Sequence, residues 1–220
     1  MVWRLTDNPA LFPDPHYGEE DGLIAVGGDL SPERLANAYS IGFFPWYGFK
    51  ERNDILWFCP LDRFVIFPGE IHVSHSMRQL MNKGTYRVSI NRDFDQVIEN
   101  CSKADGRFDM EGAWLGTDMI KAYKEMHRLH LAASVEVWDG DDNLVGGLYG
   151  INIGNNFFGE SMFSLVPSAS KLALIFLART LEPLGGIIDC QFETPHLKSM
   201  GGRHITYEEY MEYLRYETEE

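Results

Sequence analysis

Leu144-Val145-Gly146-Gly147-Leu148-Tyr149-Gly150-Ile151-Asn152-Ile153 and Asn156-Phe157-Phe158-Gly159-Glu160-Ser161-Met162-Phe163-Ser164 are two strand-like runs joined by Gly154-Asn155. A two-residue link of that kind reads as a tight turn, so the second run folds back on the first. Upstream, Ser134–Trp138 adds a strand across the turn Asp139-Gly140-Asp141-Asp142. Downstream, Ser168–Leu184 reads as a helix that Ser168 or Ser170 can cap, and Ile187–Phe192 as a further strand. Before this meander, Tyr86–Asn91 reads as a strand, and Asp93–Ser102 and Thr117–His130 as helices. Thr206–Tyr216 reads as a last, acidic helix. Strands largely in meanders with helices between them predict an α+β domain with a mixed, mostly antiparallel sheet.

The first third differs in texture, being rich in Pro, Gly and aromatics. Ser31-Pro32-Glu33 carries a cap, an N1 proline and a first-turn acid, so a helix runs from there to about Ile41, with Gly42 as its stop. Prolines and turn residues cluster over Pro60–Pro68. The expected division is a small N-terminal domain over residues 1–65 and a larger domain over 66–220.

Two carboxylates sit inside apolar runs, Glu160 in the strand quoted above and Asp189 in Gly186-Ile187-Ile188-Asp189-Cys190-Gln191-Phe192. A buried, unpaired carboxylate costs several kcal/mol or shifts its pKa. Sequences keep such groups at active sites or where backbone N–H groups or a hidden Arg satisfy them, and both readings stand for each acid. Strand alternation places Asp189 and Gln191 on one face, and Glu160 and Met162 on another shared face.

Composition narrows the function. The chain has 220 residues, 45% of them hydrophobic and 24% charged, enough to bury a substantial core. The start carries no secretory signal pattern, the longest clean apolar run (Leu172–Ala178) is too short to cross a bilayer, and the three cysteines are scattered. A reducing cytoplasm and no membrane are expected. A net charge of −14 opposes nonspecific nucleic-acid binding, yet residues 71–92 hold no acid and carry Arg78, Lys83, Arg87 and Arg92. That stretch reads as a basic patch or as a solvated face. His127-x-x-His130 has metal-like spacing but lacks an evident third ligand, so no metal is expected.

Several blocks, in order, resemble the leucyl/phenylalanyl-tRNA–protein transferase family. They include Gly22 through Pro32, Gly42-Phe43-Phe44-Pro45-Trp46, Ile55-Leu56-Trp57 and Val145 through Gly150. Gly159 through Ser164, Ile188-Asp189-Cys190-Gln191 and His196 through Gly201 complete the series. Ala113, Ala133, Leu148 and Tyr207 depart from residues common at those positions. The resemblance implies an acetyltransferase-like larger domain. It also implies transfer of Leu or Phe, with Met as a further candidate donor, from aminoacyl-tRNA to the α-amine of proteins that begin with Arg or Lys, marking them for degradation.

The same resemblance assigns residues. Asp189, Gln191 and Glu160 would be catalytic, with Asp189 orienting Gln191 and the incoming amine, and Glu160 holding the donor's α-amino group or helping to bind the cationic acceptor. Leu148, Phe157, Met162, Leu174, Leu177 and Ile188 would form the slot for the donor side chain. Tyr39, Trp46, Trp114 and Tyr123 would hold the tRNA 3′ adenosine or shape its entrance. Arg78, Lys83 and Arg87 would meet the tRNA backbone. An aminoacyl ester is already activated, so no cofactor is expected. The competing readings are a coenzyme A-dependent acetyltransferase and a binder of tRNA or N-terminal Arg/Lys without turnover. Against the first, Ser164-Leu165-Val166-Pro167 before the Ser168 helix lacks the glycine of a pyrophosphate loop.

Overall fold

The computed structural model describes residues 1–47, 54–104 and 115–215. A four-stranded sheet comes first, from β1 (Trp3–Arg4), β2 (Leu23–Val26), β3 (Phe44–Tyr47) and β4 (Ile55–Phe58), in the order β1-β2-β4-β3. Helix α1 (Pro32–Ser40) lies between β2 and β3; the Ser31 side chain accepts the Arg34 N–H, and Pro32 opens the helix, as its sequence predicts. Gly42 follows it with φ +84°, a left-handed conformation, and lies so close to the Tyr210 ring that a Cβ would sit 2.8 Å from it.

The second sheet has seven strands: β5 (Asp62–Ile66), β6 (Arg87–Ile90), β7 (Ala132–Trp138), β8 (Leu144–Ile153), β9 (Asn156–Ser164), β10 (Ile188–Asp189) and β11 (Arg203–Thr206). Their order is β11-β5-β10-β9-β8-β7-β6. Every neighbouring pair is antiparallel except β10 and β9, so the sheet is mixed and mostly antiparallel, as expected. Helices α2 (His75–Lys83) and α5 (Ala169–Leu181) pack on one face, where Leu172, Leu174, Ile175 and Leu177 bury against Val135, Leu148 and Phe157. Helices α3 (Phe94–Lys103), α4 (Thr117–Arg128) and α7 (Tyr207–Arg215) belong to the other core, which is continuous with the small sheet through Tyr39, Trp57, Tyr149 and Tyr210. A short helix, α6 (Pro195–Ser199), precedes β11.

Two sequence expectations fail locally. The strand expected over Ile187–Phe192 is only Ile188–Asp189, and Gln191 has φ +58°. The Asp189 side chain accepts the Gln191 N–H at 2.8 Å while the Cys190 N–H goes to Phe64 O. The main-chain contact to β5 continues irregularly through Phe64, but the local side-chain turn ends the pairing with β9, and face alternation stops there. Ser168 stands at the α5 N-cap but has φ +71° and makes no side-chain cap bond. Ser164 Oγ accepts the Ser170 N–H in its place.

Candidate functional site

β10 pairs with β9 only at Phe157 and Phe158, and then turns away at Gln191. The divergence opens a cleft of ≈ 700 Å³. One wall is the apolar slot expected from the sequence: Leu148, Phe157, Met162, Leu174, Leu177 and Ile188 all line it. Glu160 and Gln191 supply charge and carboxamide on the same cleft.

The two acids, Asp189 buried and Glu160 half-buried, have opposite environments. Asp189 is fully buried, and so is Arg63 of β5. Arg63 Nη2 donates to Asp189 Oδ2 at 2.6 Å, and Nε lies 2.9 Å from Oδ1 and 3.1 Å from Oδ2. Tyr210 Oη donates to Oδ2 at 2.8 Å, and the Gln191 N–H donates to Oδ1. The guanidinium lies 4.8 Å from the centroids of both the Phe44 and Tyr210 rings. Both oxygens are therefore occupied, and Asp189 does not line the cleft. Arg63, Tyr210 and the Gln191 N–H hold its lone pairs, so the contact expected between Asp189 and the incoming amine has no open oxygen on the cleft wall in this arrangement. Its second expected role has a physical route, since it fixes the Gln191 backbone directly.

Glu160 lies on the cleft at a β-bulge, where the β8–β9 register shifts between Tyr149 and Gly150. Its Oε1 accepts from Tyr39 Oη at 2.7 Å and from Gln191 Nε2 at 3.3 Å, and its Oε2 accepts from Tyr123 Oη at 2.7 Å. The two tyrosine oxygens are themselves 2.7 Å apart. Three close oxygen–oxygen contacts thus share two hydrogens when Glu160 is ionised and three when it is protonated. Burial raises the Glu160 pKa to about 7; the tyrosine hydroxyls oppose the rise and the Asp189 charge adds to it. Burial also holds both tyrosine hydroxyls well above their ordinary range, so they remain donors.

The aromatics expected to hold the tRNA 3′ adenosine or shape its entrance lie in different environments. Tyr39 and Tyr123 are fully buried and donate to Glu160. Trp46 is 36% exposed at the cleft, packed beside Phe58 and Phe192. Trp114 and Ala113 lie outside the described residues. The basic stretch is also less positive in space than in sequence. Arg87 and Arg92 both pair with Asp142, which the β7–β8 turn brings beside β6. Arg78 donates to Val73 O and is exposed, as is Lys83 at the end of α2. His127 is engaged with Ala132 O and stacks on Phe94.

Sequence reading missed Arg63 and Tyr210. Arg63 gave only a weak signal, since it stands beside Asp62 at the start of the apolar run Phe64-Val65-Ile66 and not inside it. Tyr210 gave none, being one aromatic among several on α7.

Two stability measurements separate the acids. Arg63→Met strips the partner from a buried carboxylate and is expected to cost about 3–5 kcal/mol by chemical denaturation. Tyr210→Phe is expected to cost about 1–3 kcal/mol; equal losses would contradict the hierarchy. For Glu160, a folded pKa near 7 against 4.5 unfolded means the folded state binds the extra proton, so stability falls as pH rises from about 4.5 through 7. Glu160→Gln should therefore match the parent at about pH 4 and gain on it by up to about 3 kcal/mol at pH 8. A pH-independent difference would overturn this.

Comparison with known proteins follows the same outline as the geometry. The family model described as leucyl/phenylalanyl-tRNA protein transferase matches residues 65–215, and that of its N-terminal domain matches residues 28–61. Proteins named leucyl/phenylalanyl-tRNA–protein transferase are similar along nearly the whole chain. The one from Anaeromyxobacter dehalogenans (strain 2CP-C) is 46% identical over 96% of this chain and 88% of its own. That from Syntrophus aciditrophicus (strain SB) is 50% identical over 93% and 84%. That from Nitrosospira multiformis is 47% identical over 98% and 91%. Both parts of the chain, the first with α1 that supplies Tyr39 and the second with the large sheet that supplies Glu160, therefore match one lineage, and the chain belongs to the leucyl/phenylalanyl-tRNA–protein transferase family.

Proposed function

We propose that this protein moves Leu or Phe from its tRNA to the α-amine of proteins that begin with Arg or Lys, marking them for degradation. The observation that carries the reading is the junction in one cleft of a six-residue apolar slot with Glu160 and Gln191. The slot takes an unbranched-at-Cβ apolar side chain, and Met162 gives it an adaptable wall for branched or flat groups. Trp46 offers the exposed aromatic surface on which the terminal adenine stacks. Arg78 and Lys83 carry the exposed charge for the acceptor stem, with Arg87 weakened by Asp142. The site works in the cytoplasm, where charged tRNA is available.

The ester is already activated, so the protein must align the reactants, stabilise the oxyanion and handle protons. An acceptor ammonium has a pKa of about 7.7–8.0, and Glu160 lies just below it. Ionised Glu160 accepts the proton that the ammonium must lose before it attacks. The amine nitrogen then bonds to the ester carbonyl carbon, and the bond from that carbon to the ribose oxygen breaks. The ribose oxygen leaves as a hydroxyl, taking up the second nitrogen proton. Gln191 Nε2 lies beside Glu160 Oε1, where its remaining hydrogen can serve the oxyanion. Asp189 acts at one remove, by holding the Gln191 backbone.

The test supplies labelled Leu-tRNA and two peptides that differ only in starting with Arg or Ala, without added ATP, coenzyme A or metal. Label is expected on the Arg peptide alone. Label on neither peptide, with the protein folded and the tRNA bound, would overturn the transferase reading in favour of a binding module.

A further inference from the structure

β9 is bonded on both sides only as far as Phe158, where β10 leaves it. From Gly159 to Ser164 it pairs with β8 alone among the described residues, and all six residues line the cleft. The cleft is therefore bordered by an open strand edge. The direction of its main-chain groups follows from the register. Leu165 N–H donates to Val145 O at 2.8 Å, and the ladder runs back through Ser164↔Gly146, Phe163↔Gly147, Met162↔Leu148 and Ser161↔Tyr149. In an antiparallel ladder, alternate residues bond across the pair while those between turn N–H and C=O to the other side. Counting from Leu165, Phe163 and Ser161 bond to β8, whereas Met162 and Ser164 present their main chain to the cleft.

Two residues on the same cleft also carry a side-chain polar atom without a partner among the described residues. Ser161 Oγ and His196 Nε2 are both buried and unbonded, and both residues line the cleft. Burial, with the nearby Lys171 charge, lowers the His196 pKa, so the imidazole is neutral at pH 7.

We infer that the first residues of the acceptor chain bind as an added strand along the open edge of β9, paired with the main chain of Met162 and Ser164. An extended peptide is the one reactant that offers alternating N–H and C=O groups to such an edge. Its terminal amine then falls at the Glu160 end, where the bulge carries the carboxylate, and its main chain passes Ser161 and His196. Recognition beyond the first residue is through the backbone, so side chains at later positions are free to vary. The inference rests on the acceptor reading proposed above.

The test is a set of Arg-starting peptides N-methylated in turn at residues 2, 3 and 4, assayed for transfer from Leu-tRNA beside the unmethylated parent. Strand addition expects alternation: positions 2 and 4 lose about tenfold or more in kcat/KM while 3 stays within about twofold, or the reverse. Uniform loss, no loss, or any non-alternating pattern overturns strand addition while leaving the transferase reading intact. Failure of the parent peptide itself would instead remove that reading, and the inference with it.

Discussion

The buried Arg63–Asp189 pair is the interaction on which the remaining architecture depends. Two ions out of water are costly, and the cost is offset only when geometry is close and every remaining lone pair is used. Here Arg63, Tyr210 and the Gln191 N–H use those of the carboxylate, while Arg63 Nη1 is buried with no hydrogen-bond partner among the described residues. The pair ties β5 to β10, reaches α7 through Tyr210, and packs against Phe44 of the small sheet. Its consequence for the site is geometric. By taking the Gln191 N–H, Asp189 turns the chain into a left-handed conformation, ends β10 after two residues and parts it from β9. The cleft exists because that strand stops.

Glu160 is the counterpart, an acid left with hydroxyls instead of a cation. Two tyrosines can stabilise its charge, but they bring too few hydrogens to fill all three contacts once the proton has gone. The result is a carboxyl poised near neutrality beside an apolar slot. One of those tyrosines, Tyr39, comes from α1, and Phe44 and Trp46 of β3 line the cleft. The first third of the chain therefore builds part of the site wall as well as its own sheet.

Much of this was legible in the chain. The β7–β8–β9 meander followed from alternation and from two turn sequences, and the α1 start from Ser31-Pro32-Glu33. The six residues that the family resemblance assigns to a donor slot line one cleft. Glu160 and Asp189 were both recognisable as acids in apolar runs, yet nothing local distinguished them. What distinguishes them is a partner 126 residues away in sequence, and only the fold brings Arg63 to Asp189. The burial of Tyr39 and Tyr123, and the approach of Asp142 to Arg87, have the same origin: tertiary pairing, to which local pattern is blind.

The central claim is that Glu160, and not Asp189, exchanges a proton with the reacting amine. The pH dependence of single-turnover transfer tests it most directly, measured for the parent protein and for Glu160→Gln with aminoacyl-tRNA saturating. The parent rate is expected to rise on its acid side through a titration near pH 7, and Glu160→Gln to be slower and to lose that inflection. An acid limb that persists unchanged in Glu160→Gln would contradict the account.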